Sequence, residues 1–209
     1  MPGPRQFALV RHGRTEYNIQ RRLNGDPTVP VALSPEGREQ VEALKPRIDG
    51  LAVDLGVHTR FPRTRQTLDL LLAGRDVPRV VCPDLGDVHL GTFEGAPVEE
   101  YRAFRSEHGV AGRPPGGGES RLDVLARYAR GFARLVEVRA AAALTVTHDI
   151  PIRFLANAVA GADPLDGPVS AIPNASLMIV SEDELRRGIA AMRERLAAQP
   201  SADPLDPPA

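Results

Sequence analysis

Short apolar runs that stop at polar turns alternate along this chain with segments whose apolar residues recur every three to four positions. Phe7-Ala8-Leu9-Val10 runs into Arg11-His12-Gly13, and Ala143-Leu144-Thr145-Val146-Thr147 runs into His148-Asp149. Runs of this kind, bounded by turn residues, read as strands covered on both faces, as in parallel sheets. Weaker strand signals occur at 51–57, 79–82 and 175–180. Taken alone, Arg11-His12-Gly13 fits a helix cap and a solvated turn better than a site, so its meaning depends on the rest of the chain.

The helical segments carry start and stop signals. Ser34-Pro35 opens a helix with Val41, Leu44 and Ile48 inward, ending at Gly50. A second helix begins near Pro62, turns Leu68, Leu71 and Leu72 inward and stops at Gly74. A short helix over 97–108 buries Tyr101 and Phe104. Ser120 and Asp123 form a capping box for an amphipathic helix that runs to about Arg139 through Leu125, Tyr128 and Phe132. Pro151 leads a helix to Gly161. Another over 182–198 carries the i,i+4 pairs Glu182/Arg186 and Asp183/Arg187. The stretch from Asn18 to Val31 reads as a loop bearing Arg21, Arg22 and Asn24, and 84–95 as a structured loop.

Strands alternating with helices predict an α/β protein: a three-layer α/β/α sandwich with a mostly parallel central sheet. Residues 1–199 are expected to form one domain and 200–209 a disordered Pro/Asp tail.

Composition narrows the function. Among 209 residues the formal net charge is -1 and aromatics make up 4%, which leaves no basic footprint or stacking platform for nucleic acid. The cations are 25 arginines and Lys45, so phosphate binding would fall to planar bidentate donors. Cys82 is the only cysteine and reads as a buried small hydrophobe. No leader-like run precedes Phe7, and no apolar run approaches the roughly 20 residues that span a bilayer. A cytoplasmic protein without membrane contact is expected.

Arg11-His12, Arg63, Asp87 and His148 fall at or just beyond strand ends, where ligands bind in open α/β sheets. Two histidines flanked by arginines are wrong for a divalent metal and right for a phosphate. Arginine forks bind phosphoryl oxygens, and a neutral imidazole nitrogen can attack phosphorus to give a phosphohistidine. Neighbouring cations would keep that nitrogen unprotonated.

Leu9-Val10-Arg11-His12-Gly13-Arg14-Thr15-Glu16-Tyr17-Asn18 resembles the signature of the histidine phosphatase superfamily, in its phosphoglycerate mutase-like branch. Four later segments resemble the family's motifs in order: Arg63 to Thr67, Leu85 to Gly95, Gly117 to Ser120, and Val146 to His148. The resemblance implies His12 as nucleophile, Arg11, Arg63 and His148 as the phosphate pocket with Asn18 beside it, and neither metal nor organic cofactor. The family's usual acid, Glu, is here Asp87, and the usual Gly after the second histidine is Asp149. Both are candidate proton donors, with Asp87 preferred because its loop is otherwise retained. Glu94 is expected to support that loop.

Arg21, Arg22, Arg102 and Arg105 are candidates for substrate contact. His58, His89 and His108 read as packing or surface groups, and Arg113 as a solvated one. The expected function is hydrolysis of a small phosphorylated metabolite through a phosphohistidine, with inorganic phosphate as product. A mutase-type phosphotransferase and a phospho-ligand-binding module are the alternatives. A homo-oligomer is compatible with the sequence.

Overall fold

The computed structural model describes residues 5–198, so the tail expected to be disordered at 200–209 lies outside the described residues. Five strands form one sheet in the order β3-β2-β4-β1-β5. They are β1 (Gln6–Arg11), β2 (Leu55–His58), β3 (Arg79–Val81), β4 (Ala142–Thr147) and β5 (Leu177–Ser181). Only β5 runs antiparallel to its neighbour, so the sheet is mostly parallel.

Successive strand residues point to opposite faces, and both faces are covered. Phe7 and Leu9 of β1 join Val57 of β2 and Ala143 of β4 under α5 (Arg121–Glu137), α6 (Asp149–Val159) and α7 (Glu182–Ala197). Ala8 and Val10 join Leu144 and Val146 under α2 (Pro35–Asp49) and α3 (Pro62–Leu71). Two apolar layers on one sheet make the expected α/β/α sandwich, each fully buried large side chain contributing about 2 kcal/mol. The three residues of β3 are exposed at the sheet edge.

The parallel register pairs Val10 with Val146 and Arg11 with Thr147. The residues that follow, His12 and His148, therefore emerge side by side at one end of the sheet.

Several boundaries moved. Glu16–Ile19 is a short helix, α1, inside what reads as a turn and loop, because Thr15 and Asn18 form a reciprocal capping box. A four-residue helix is too short to show a period. Ser181 and Glu184 likewise cap α7, whose Glu182–Arg186 pair forms at 2.6 Å. Among the described residues Asp183 and Arg187 form no ion pair. The remaining helix, α4 (Val98–His108), buries Tyr101, with Phe104 partly covered.

Candidate active site

The backbone N–H of His12 donates to the Thr147 carbonyl at 3.0 Å, tying the end of β1 to β4. Its ring is buried, with Nδ1 at 2.7 Å from the carbonyl oxygen of Gly13. A carbonyl only accepts, so Nδ1 holds the proton and Nε2 keeps its lone pair. Arg63 Nε donates to that Nε2 at 3.1 Å, consistent with the same tautomer. Burial first, then Arg63 and Arg11, holds the imidazole pKa well below its ordinary 6.5. Gly13 has no alternative residue: a Cβ there would lie 2.5 Å from the Gly37 carbonyl oxygen and 2.8 Å from Val41.

Arg63 stands in the first turn of α3, 3% exposed, its guanidinium over the Phe61 ring at 4.3 Å. It donates to the side-chain and main-chain oxygens of Asn24 and to Asp87 Oδ2 at 2.9 Å. Asn24 is held in turn by Glu94, which also accepts from the N–H groups of Gly25 at 2.7 Å and Asp26 at 3.1 Å. Glu94 thus braces the Asn24 loop rather than the acid loop expected from the sequence. That loop approaches Val88 so closely that a Cβ on Gly25 would fall 1.9 Å from its carbonyl oxygen.

His148 occupies the N-cap position of α6 and is fully buried. Arg63 donates to its Nδ1 at 3.2 Å, which leaves Nε2–H to donate to Thr59 Oγ1 at 3.0 Å. Burial, then Arg63 and His12, also depresses this imidazole well below its usual value. The two histidine rings meet edge-on, centroids 5.3 Å apart.

Asp87 follows a 3-10 turn at Pro83–Leu85. Besides Arg63, its Oδ2 lies 3.4 Å from His148 Nδ1. The sequence gives no sign of what holds this loop. Arg127 on α5 donates to the carbonyls of Asp84, Gly86 and Asp87 at 2.9 to 3.0 Å while paired with Glu119. Thr147 Oγ1 adds a bond to the Leu85 carbonyl at 2.6 Å.

Asp149, the rival acid, also lines the cleft but is held by other partners. Its Oδ1 accepts from Ile172 N–H at 2.7 Å, and its Oδ2 lies 3.7 Å from Arg153. Arg11 donates to the Ile172 carbonyl, and its buried Nε has no partner among the described residues. Asn18 spends its Oδ1 on the Thr15 N–H at 3.1 Å, which leaves its amide N–H groups free to donate. Asn174, unforeseen, donates to the His12 carbonyl at 3.0 Å.

These groups open into one cleft of about 360 Å³, which Arg21, Arg22, Arg102 and Arg105 also line. Arg21 pairs with Glu99, and Arg22 covers the Tyr17 ring and donates to the Gly95 carbonyl at 2.9 Å. His58, His89 and His108 do not line the cleft, and Arg113 pairs with Asp123 near the surface. Among the described residues, no three His, Cys, Asp or Glu side chains group as a metal site requires. Among the described residues, no helix is long and apolar enough to cross a membrane.

Two facing imidazoles at the carboxyl ends of β1 and β4 and the guanidiniums of Arg11 and Arg63 thus form one cluster of nitrogen groups at the head of the sheet. The model of the histidine phosphatase superfamily (branch 1) matches residues 7–195, and the chain belongs to that superfamily. An adenosylcobalamin/alpha-ribazole phosphatase of Salmonella typhimurium is 34% identical over 86 residues, 41% of this chain and 42% of that relative. The matched stretch thus spans less than half the length of that phosphatase. A probable phosphoglycerate mutase GpmB of Escherichia fergusonii is 27% identical over 164 residues, 75% of each chain. The crystal structure of the alpha-ribazole phosphatase from Shigella flexneri superposes with a TM-score of 0.74 at 23% identity, covering 84% of this chain and 90% of that one, a likeness of fold.

Proposed function

We propose that this protein is a phosphomonoesterase that passes the phosphoryl group of a small phosphorylated metabolite to His12 and then to water. The observation that carries the reading is the tautomer of His12: Nδ1–H is committed to the Gly13 carbonyl, so the lone pair of Nε2 faces Arg63 and the cleft.

In the first step His12 Nε2 attacks phosphorus in line with the ester oxygen. The P–O bond to the alcohol breaks, and a protonated Asp87 gives its proton to the departing oxygen. In the second step Asp87 takes a proton from water, whose oxygen attacks phosphorus. The P–N bond then breaks and inorganic phosphate leaves. Arg11 and Arg63 offer guanidinium donors to the phosphoryl oxygens, where such contacts favour the transition state, while His148, its Nε2–H held by Thr59, flanks the pocket through Nδ1. Asn18 offers a further donor at the pocket edge. Each of these roles falls to a side chain, with no metal or organic cofactor called upon.

Asp87 is preferred as acid because it stands within the Arg63–His148 cluster, whereas Asp149 is tied to the Ile172 N–H. Mutase activity is the second reading, favoured by the relative matched over three quarters of the chain. Against it, the segment between Gly95 and Gly118 holds only α4 and a loop, little material to enclose a second phosphorylated substrate.

A phosphate-release screen over diverse phosphomonoesters, with His12→Ala as blank, tests the reading. Turnover that depends on His12 is expected. Its absence on every ester would favour a phospho-ligand-binding module, and interconversion of phosphoglycerates without phosphate release would favour a mutase.

A further inference from the structure

The 160–176 stretch between α6 and β5 carries no helix or strand, yet a row of side chains on α6 holds its later half. Asp149, Arg153 and Asn157 stand four residues apart, so they share one face of the helix. Asn157 exchanges two hydrogen bonds with the Val169 backbone, at 2.9 Å and 3.2 Å. Arg153 donates to the Ser170 carbonyl at 2.6 Å, and Asp149 Oδ1 accepts from the Ile172 N–H at 2.7 Å. The strap 169–172 thus runs back along α6 and ends at the residue next to His148.

Beyond α6 the strap grips the nucleophile turn. Arg11 Nη1 donates to the Ile172 carbonyl. Two and three residues on, Asn174 donates to the His12 carbonyl and the Ala175 N–H to the Arg11 carbonyl, both at 3.0 Å. Pro173 restricts Ile172 to extended backbone conformations, so an anchor on the Ile172 N–H also aims its carbonyl.

The bond to Ile172 takes one of the five N–H groups of Arg11. Its buried Nε has no partner among the described residues, which leaves the Nε/Nη2 edge of the guanidinium to receive two phosphoryl oxygens side by side. Burial lowers the Arg11 pKa, and Asp149 is the first of the carboxylates that oppose this, ahead of Asp87. Geometry and charge therefore point to the same partner.

We infer that Asp149 is a positioning residue for Arg11, holding the Ile172 peptide so that the guanidinium turns one edge to the bound phosphoryl group. The aspartate that stands where the family usually has glycine then has a task other than proton donation. This rests on the reading of the cleft as a phosphoryl pocket.

The test is a double-mutant cycle read by phosphorus NMR titration of inorganic phosphate, which measures millimolar affinities. Asp149→Ala is expected to raise Kd about tenfold, as loss of one charge-assisted contact implies, whereas Asp149→Asn, whose side-chain carbonyl still accepts from Ile172, should stay within about threefold of wild type. In an Arg11→Met background, itself weaker, Asp149→Ala should add less than about twofold, because residues that act through one contact do not add. Should the alanine variant not fold, Asp149→Ser, suited to the first turn of a helix but too short to reach Ile172, takes its place. With alkyl and p-nitrophenyl phosphates, Asp149→Ala should lower kcat/KM by the same factor, through KM. Equal losses in the wild-type and Arg11→Met backgrounds would overturn the positioning role. So would an Asp149→Asn loss as large as that of Asp149→Ala and confined to the alkyl ester. A coupled cycle with no ester hydrolysed would keep the role and sink the phosphatase reading, and hydrolysis with an additive cycle would do the reverse.

Discussion

Arg63 Nε donates to His12 Nε2 across 3.1 Å, so the proposed nucleophile and the cation proposed to bind its substrate share one hydrogen bond. The contact occupies the lone pair that must attack, so Arg63 has to pass from the nitrogen to a phosphoryl oxygen as the phosphate arrives. It also gives the incoming phosphoryl group a donor already at the reacting atom.

A lysine at this position would keep a charge but lose the fork that reaches His12, Asn24 and Asp87 together. Arg63→Lys should lower kcat/KM for an aryl phosphate about 100-fold or more, while circular dichroism stays native. Near-normal turnover in the folded variant would show that the planar fork is dispensable.

The choice of acid separates by leaving group. An alkoxide needs a proton as it departs and a nitrophenolate does not, so Asp87→Asn should cost about 100- to 1,000-fold with an alkyl phosphate and far less with p-nitrophenyl phosphate. Asp149→Asn should weaken both esters by a similar, smaller factor, because its carboxylate serves the Ile172 N–H. The reverse pattern, with the alkyl ester lost only in Asp149→Asn, would move the acid to α6.

Much of this site was legible because it lies where patterns end. The runs of β1 and β4 stop at His12 and His148, and the parallel register then brings those residues together. What stayed hidden depends on contacts distant in sequence. Arg127 reads as one more arginine on an amphipathic helix, yet it grips three carbonyls about forty residues upstream. Asn174 leaves no periodic trace either. Glu94 braces the Asn24 loop for the same reason: spacing puts a carboxylate near a loop without saying which loop it will accept from.

Both buried histidines should make stability fall on acidification. In the unfolded chain each imidazole binds a proton below about 6.5, whereas burial and Arg63 keep it neutral in the folded state until a much lower pH. Between those two values the unfolded state holds more protons, and each histidine removes up to about 1.4 kcal/mol of stability per pH unit as pH drops. Urea unfolding at pH 7.5, 6 and 5 should show the decline, and His12→Asn/His148→Asn should flatten it. A double variant with the wild-type slope would place the acid sensitivity elsewhere.

The Arg127–Glu119 pair offers the sharpest test of how the acid loop is held. Both side chains are largely buried, and Glu119 also accepts from the His89 N–H at 3.0 Å, so the pair clamps the loop on either side of Val88. Removing one partner leaves the other charge buried, at a cost of about 3 kcal/mol. Beyond that loss, a loosened loop would let Asp87 wander from the ester oxygen without altering the Arg11 contact to phosphate. Arg127→Met, assayed well below its melting temperature, should therefore lower kcat for an alkyl phosphate about tenfold while KM changes little, and should affect p-nitrophenyl phosphate much less. A uniform fall with both esters would mean that Arg127 supports the fold alone, since general destabilisation does not distinguish a leaving group that needs a proton from one that does not.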